Sequence, residues 1–179
     1  MNLPNKLTIL RVVLVPVFMA LLCIDSAGCR MAALGVFILA SVTDWADGYI
    51  ARKYNLISTF GKFMDPLADK ILTTAAFLVF VSEGIISPWA VMLVLAREFA
   101  VAGIRLCAAA GGDVIAASFW GKLKTVSQMV AIIAAIILMH PAFEPHAAVL
   151  ITNILVWISV VFTVLSGADY IWKNRKLFK

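Results

Sequence analysis

Residues 44–69 read DWADGYIARKYNLISTFGKFMDPLAD, and this stretch places four aspartates in a chain that is otherwise mostly apolar. The four are Asp44, Asp47, Asp65 and Asp69. Apolar runs flank the stretch, so it falls at the end of one predicted helix and the start of the next. A charged side chain at the centre of a membrane-spanning helix costs about 2.5–3.5 kcal/mol. Four acids this close to such helices indicate a functional site.

The composition places the chain in a membrane. Of 179 residues, 63% are hydrophobic and 14% are charged, with a mean hydropathy of +1.00. A soluble domain has about 45–50% apolar and about 25% charged residues. A chain of this size has too little interior to hide so many apolar side chains from water. The composition therefore excludes a disordered chain and an ordinary water-soluble enzyme.

The apolar runs predict an all-α, polytopic membrane protein with six transmembrane helices in a single domain, residues 1–179. We expect helices at about 7–25, 31–53, 65–82, 87–109, 121–140 and 146–170. Residues 1–6 are predicted to form an interfacial segment, and residues 170–179 a basic cytoplasmic tail. An even number of spans puts both termini on one side of the membrane.

The distribution of charge predicts the orientation. The net charge is +5, and most Lys and Arg lie near the termini or flank the predicted connections 53–64 and 109–120. The opposite turns, at 25–30, 82–88 and 140–146, carry Asp25, Glu83 and Glu144. Because basic residues favour the cytoplasmic side, the termini and the aspartates are predicted to be cytoplasmic. Positive charge along a membrane boundary favours anionic headgroups or phosphorylated substrates over nucleic acid.

Helical spacing brings the acids together. At about 100° per residue, positions 44, 47, 48, 51 and 52 share one helical face, and Asp65 and Asp69 are four apart on the next helix. Four clustered carboxylates repel unless cations neutralise them, and oxygen ligands suit Mg²⁺ or Mn²⁺. Two such ions suit displacement at a phosphate. Simpler interpretations are an N-cap at Asp65 before Pro66, close helix packing at Gly48 and boundary salt bridges.

The same positions match a known pattern, Asp44-x2-Asp47-Gly48-x2-Ala51-Arg52-x8-Gly61-x3-Asp65-x3-Asp69. This pattern resembles the signature of the CDP-alcohol phosphatidyltransferases, and the resemblance implies that family's fold. It implies two divalent metal ions, Mg²⁺ or Mn²⁺, on the four aspartates, with Asp69 also the general base. It further implies that the cytidine diphosphate group of the lipid substrate binds to Gly48, Ala51, Arg52 and Gly61.

Further segments resemble the bacterial members of this family that use glycerol 3-phosphate. These segments are Asn5-x-Leu7-Thr8-x2-Arg11, Ala96-Arg97-Glu98, Gly121-Lys122-x-Lys124-Thr125 and Leu165-Ser166-Gly167-x2-Tyr170. The resemblance implies CDP-diacylglycerol and glycerol 3-phosphate as substrates, a homodimer and the bacterial cytoplasmic (inner) membrane. CDP-diacylglycerol would also contact Asn5, Thr8 and Arg11. Glycerol 3-phosphate would contact Arg97, Arg105, Lys122 and Lys124.

Alternatives stay open at this point. Lys122 and Lys124 could serve only as membrane anchors, and Arg97 and Glu98 as a structural pair, whereas Glu98 is expected to orient a basic neighbour. A related synthase would use phosphatidylglycerol, serine or inositol phosphate as acceptor. An ion or proton transporter is a further possibility, but it predicts acids spread across the membrane depth rather than at one edge. A non-catalytic scaffold leaves the cost of the buried charges unexplained.

Overall fold

The computed structural model describes the backbone of residues 3–53, 59–110 and 118–175, and the side chains of residues 7–44, 68, 70–108 and 118–175. All regular structure in these ranges is helical. In chain order the helices are α1 (Leu3–Cys23), α2 (Ala27–Lys53), α3 (Thr59–Ser82), α4 (Pro88–Ala110), α5 (Phe119–Leu138) and α6 (Pro145–Lys173). The prediction of an all-α chain with six helices is confirmed.

Several helices begin earlier than predicted. Helix α1 already includes residues 3–6, which were predicted to precede it, and α2 begins at Ala27 rather than at 31. Helix α3 begins at Thr59, so Asp65 and Pro66 lie inside it. The alternative interpretation of Asp65 as an N-cap is therefore wrong. Proline is favoured in the first turn of a helix, but a proline does not require that a helix begin there.

Local chemistry explains where α3 ends and where α5 and α6 begin. Ser118 caps α5 by accepting a hydrogen bond from the Gly121 amide at 3.2 Å. Glu144 caps α6 by accepting from the two amides that follow Pro145, and its negative charge favours a helix N-terminus. Gly84 follows α3 with a φ of +71°, a conformation that glycine adopts without steric cost.

The helices pack into two groups that share a core. Helix α1 packs mainly against α2 and α3, while α6 packs mainly against α5 and α4. Large apolar side chains fill the interior, including Phe18 and Phe37, whose ring centroids lie 5.7 Å apart. Ile132 and Ile136 of α5 belong to the same buried cluster. The core therefore joins helices from both halves of the chain.

The outer surface is suited to lipid. Within the part of the chain that the structure describes, three helical segments are long and apolar enough to cross a membrane: Ala27–Asp44, Phe119–Leu138 and Pro145–Lys173. Two shorter apolar segments are Leu7–Cys23 and Lys70–Ser82. Large apolar side chains are exposed along the helices, for example Val13, Leu39 and Leu150. Exposed apolar faces on helices of this length indicate a membrane protein.

A cluster of charged residues shows which helix ends lie at the same end of the bundle. Arg30, near the start of α2, contacts Glu83 just after α3 at 3.1 Å and Asp25 at 3.4 Å. It also donates to the Met139 carbonyl just after α5 at 3.3 Å. We call Arg30, Glu83 and Asp25 the Arg30 cluster. Since these residues lie together, the end of α2, the start of α3 and the start of α5 belong to the opposite end.

Candidate active site

The backbone confirms the helical setting of the four aspartates. Asp44 and Asp47 lie in the C-terminal part of α2, and Asp65 and Asp69 lie in the N-terminal half of α3. Helix α2 is continuous to Lys53, as the predicted common face of positions 44, 47, 48, 51 and 52 requires. Of the four carboxylates, only that of Asp44 belongs to the described side chains. The convergence of all four therefore stays a prediction.

Other predicted site residues also lie outside the described side chains: Asn5, Asp47, Gly48, Ala51, Arg52, Gly61, Asp65 and Asp69. Among the side chains that are described, no three His, Cys, Asp or Glu residues form a group that could hold a metal. That finding does not bear on a site built from the aspartates just named. The donor set itself fits Mg²⁺ or Mn²⁺, because it consists of carboxylate oxygens alone.

Arg11 of α1 holds Asp44 in place. Its Nη1 donates to Asp44 Oδ1 at 2.5 Å. Arg11 is 1% exposed and Thr8, one turn earlier, is fully buried, whereas the Asp44 side chain is 40% exposed. A buried guanidinium requires a counter-charge, which Asp44 provides. Helix α1 thus brings two predicted contacts of the lipid substrate next to the first predicted metal ligand.

A second cluster is centred on Glu98 of α4, and we call it the Glu98 cluster: Glu98, Lys70, Arg97 and Lys124. Glu98 Oε1 accepts from Lys124 Nζ and, at 3.1 Å, from Arg97 Nη1. Lys70 Nζ lies 3.6 Å from Glu98 Oε2. Glu98 and Lys124 are both buried. The expectation that Glu98 orients a basic neighbour is confirmed, and one carboxylate joins cations from α3, α4 and α5.

Arg97 is enclosed between α4, α5 and α6. Its Nη2 donates to Ser166 Oγ at 2.5 Å, while Nη1 donates to Glu98. A Cβ atom on Gly167 would lie 3.1 Å from Arg97 Cγ, and one on Gly121 would lie 3.7 Å from Arg97 Nη2. Glycine at position 167 therefore leaves room for the stem of the Arg97 side chain, whereas the contact at position 121 is of ordinary van der Waals length. The interpretation of Arg97 and Glu98 as a structural pair is confirmed as a contact.

Arg105 is held differently from Arg97. Its Nε donates to the Tyr170 hydroxyl at 3.2 Å, and its guanidinium carbon lies 5.6 Å from the centre of that ring. Tyr170 is buried, whereas Arg105 and Lys122 are exposed. The four cations predicted to bind glycerol 3-phosphate therefore divide into two pairs. Lys124 is buried and Arg97 is half-buried, both against Glu98, whereas Arg105 and Lys122 are exposed.

A cavity of about 390 Å³ lies beside the Glu98 cluster, between α1, α3, α4 and α5. Val15, Leu78 and Val94 contribute apolar walls. Its polar lining is formed by Lys70, Thr73, Thr74, Glu98, Lys124, Thr125 and Gln128. One of the lining residues, Lys70, directly follows the predicted general base Asp69 in the sequence.

Similarity to a known protein family assigns the chain to a class of protein. The sequence profile of the CDP-alcohol phosphatidyltransferase family matches residues 1–165. The chain therefore belongs to that family, and the resemblance described above is confirmed. The match includes the signature of four aspartates and helices α1 to α5, together with most of α6.

Individual relatives of the chain carry names that are more specific than the name of the family. A Bacillus subtilis (strain 168) protein named CDP-diacylglycerol--glycerol-3-phosphate 3-phosphatidyltransferase is 41% identical over 99% of this chain and 97% of its own length. A Rickettsia bellii (strain RML369-C) protein of the same name is 37% identical, with the same coverage. A Mycobacterium tuberculosis (strain ATCC 25618 / H37Rv) protein, named as a probable phosphatidylglycerophosphate synthase, is 37% identical over 95% of this chain and 80% of its own length.

Three contacts were not predicted from the sequence. The Arg11–Asp44 ion pair joins residues 33 positions apart, and Ser166 and Tyr170 act as partners of Arg97 and Arg105. The available signal was a buried cation on an apolar helix, which indicates a partner without identifying it. Ser166 and Tyr170 stood in the motif at residues 165–170, but their spacing did not reveal which arginine each would contact.

Proposed function

We propose that this chain is a CDP-diacylglycerol–glycerol-3-phosphate 3-phosphatidyltransferase, which transfers the phosphatidyl group to glycerol 3-phosphate and releases CMP. The observation that carries the proposal is the near full-length similarity to relatives of that name, together with the unbroken signature from Asp44 to Asp69. The product is phosphatidylglycerol phosphate, a precursor of anionic phospholipids. The buried cations at one end of the bundle suit two substrates that both carry phosphate.

The proposed setting is the bacterial cytoplasmic membrane, crossed by all six helices. The basic flanks of α2, α4 and α5 support a cytoplasmic position for both termini and the active site. The Arg30 cluster, with its two acids, then lies at the outer face. In this orientation the acyl chains of the lipid substrate remain in the bilayer, while its diphosphate reaches the end of α2.

We further propose that Asp44, Asp47, Asp65 and Asp69 hold two Mg²⁺ or Mn²⁺ ions. When bound, these ions would neutralise charge on the diphosphate and on the departing CMP. Arg11 fixes one oxygen of Asp44 and so limits the rotation of that carboxylate. Gly48, Ala51, Arg52 and Gly61, with Asn5, Thr8 and Arg11 from α1, are the proposed contacts of CDP-diacylglycerol.

In the proposed reaction Asp69 takes the proton from the primary hydroxyl of glycerol 3-phosphate. That oxygen forms a bond to the phosphorus that bears diacylglycerol, and the bond from that phosphorus to the CMP oxygen breaks. The electron pair of the broken bond leaves with CMP, which keeps the second phosphate. A single in-line displacement of this kind needs no covalent intermediate with the protein.

The proposed site for the phosphate of glycerol 3-phosphate uses both pairs of cations. Arg105 is exposed and its Nε donates to the Tyr170 hydroxyl, so the proposal assigns its terminal nitrogens to a planar, two-point contact with phosphate. Lys122 is also exposed and adds charge. Lys124 and Arg97 contribute from the buried side. The terminal nitrogens of Arg97 contact Glu98 and Ser166, so its guanidinium is held in place beside Lys124.

The direct test is CMP release by the purified protein with CDP-diacylglycerol, Mg²⁺ and one acceptor at a time. The panel contains glycerol 3-phosphate, serine, inositol phosphate and phosphatidylglycerol. Of these acceptors, we expect only glycerol 3-phosphate to give CMP release. An Asp69→Asn preparation is the control for CMP release by synthases of the expression host. Release with serine but not with glycerol 3-phosphate would refute the acceptor assignment.

We also propose that the protein is a homodimer. Light scattering of the detergent-solubilised protein tests this proposal, because it measures the mass of the assembly.

A further inference from the structure

We infer that Glu98 is a positioning residue that determines where the phosphate of glycerol 3-phosphate binds, an inference that rests on the proposed function. Lys124 and Arg97 were both predicted to bind this acceptor, and both donate to the same oxygen of Glu98. Two cations that share one oxygen must lie close to each other. Glu98 thereby converts residues from two helices into one cationic site with a fixed spacing.

Stability alone does not account for the Glu98 cluster. A buried ion pair contributes little more than well-packed apolar residues of the same volume, because desolvation offsets the attraction. Apolar side chains at positions 98 and 124 would serve a membrane-embedded helix at least as well. The free-energy cost of burying these charges is instead consistent with a functional need for cations at this position in the bundle.

The position of the cluster connects it with the chemistry. Lys70 Nζ lies 3.6 Å from Glu98 Oε2 and follows Asp69, the proposed general base, in the sequence. Glu98 therefore links α3, which carries Asp69, to Lys124 of α5. The cavity borders Glu98, Lys70 and Lys124. A shift of Glu98 would move the cations relative to the helix that activates the acceptor hydroxyl.

The test compares Glu98→Gln with wild type in steady-state CMP release, varying each substrate in turn. The amide retains the shape of the side chain but loses the charge that fixes Lys124 and Arg97. We expect KM for glycerol 3-phosphate to rise about 10- to 100-fold, as for loss of a charged hydrogen bond, while KM for CDP-diacylglycerol changes little. Glu98→Asp retains the charge on a shorter side chain and should give an intermediate KM.

Glu83→Gln is the matched control, because it removes the carboxylate partner of Arg30 at the opposite end of α3. It should leave both KM values unchanged. A Glu98→Gln variant with a lower kcat and melting temperature but unaltered KM values would show a purely structural role and overturn the inference. A lower KM for glycerol 3-phosphate would also overturn it, since Glu98 would then compete with the phosphate.

Failure of this inference can be distinguished from misfolding of a variant and from failure of the proposed function. If Glu98→Gln does not fold, Glu98→Asp decides the matter: a raised KM for glycerol 3-phosphate supports the inference, and an unchanged KM refutes it. If wild-type protein releases no CMP with glycerol 3-phosphate, the proposed function fails whatever the variants do. Failure of the inference therefore appears only in the variants, against an active wild type.

Discussion

The contact between Gly167 of α6 and Arg97 of α4 gives the sharpest prediction for stability. A Cβ atom added at Gly167 would lie 3.1 Å from Arg97 Cγ, whereas carbon atoms pack at about 3.5–4.0 Å. Arg97 cannot easily move away, because Nη1 is bonded to Glu98 and Nη2 to Ser166. The Gly167→Ala variant must therefore compress this contact or disturb the hydrogen bonds of Arg97.

Two opposing terms set the magnitude. Adding a methyl group to a filled interior costs about 1–3 kcal/mol. Replacing glycine by alanine within a helix contributes about 0.8–1.0 kcal/mol in the stabilising direction. Gly103 of α4 isolates the second term, because a Cβ atom there would meet nothing within 4 Å. Gly167→Ala should thus be less stable than Gly103→Ala by about 1–3 kcal/mol, which is the cost of the contact alone.

Thermal unfolding of the two variants and wild type in the same detergent measures this difference. About 2–4 °C of melting temperature corresponds to 1 kcal/mol in a chain of this size, so the two variants should differ by several degrees. Gly103→Ala should equal or exceed wild type, and Gly167→Ala should fall below Gly103→Ala. Equal melting temperatures for the two variants would refute the close packing of α6 on Arg97.

Three further predictions follow from the same geometry. Asp69→Asn should lower the rate of CMP release about 10²- to 10⁴-fold, as expected for loss of a general base, while CDP-diacylglycerol still binds; a near-normal rate would remove Asp69 from that role. Arg105→Ala should raise KM for glycerol 3-phosphate more than KM for CDP-diacylglycerol, and Tyr170→Phe should do so to a smaller degree; equal changes in both KM values would argue against a separate phosphate site. Burial raises the pKa of Glu83 despite the opposing effect of Arg30, so the folded state favours its protonated form. Wild type should therefore gain melting temperature relative to Glu83→Gln as pH falls from about 7 to about 4, and a constant difference would contradict this.

The all-helical architecture was largely predictable from the apolar runs. Runs of suitable length, separated by short polar turns, predict six helices, and the described residues form six. The helix starts were less predictable. Pro66 suggested a start at Asp65, yet α3 begins at Thr59, since a proline disfavours only the preceding turn and the helix continues through it.

The sequence predicts a set of residues for the candidate site, which stays a prediction, but it does not predict the contacts among them. The spacing of Asp44 and Asp47 on one helix follows from helical geometry, and the structure confirms a continuous helix there. The pairing of Arg11 with Asp44, or of Arg105 with Tyr170, depends on how separate helices pack. Periodicity within one helix carries no information about that packing. The division of the predicted acceptor cations into a pair that contacts Glu98 and an exposed pair was unpredictable for the same reason.

The central claim is that aspartates from α2 and α3 hold the metal ions through which the transfer occurs, and metal-dependent CMP release tests it most directly. CMP should be measured with CDP-diacylglycerol and glycerol 3-phosphate before EDTA, after EDTA and after addition of Mg²⁺ or Mn²⁺, for wild type and for Asp44→Asn. We predict that EDTA abolishes release by wild type, that either ion restores it, and that Asp44→Asn remains impaired at the same ion concentration. Undiminished release in EDTA, or an Asp44→Asn variant that matches wild type, would contradict the claim.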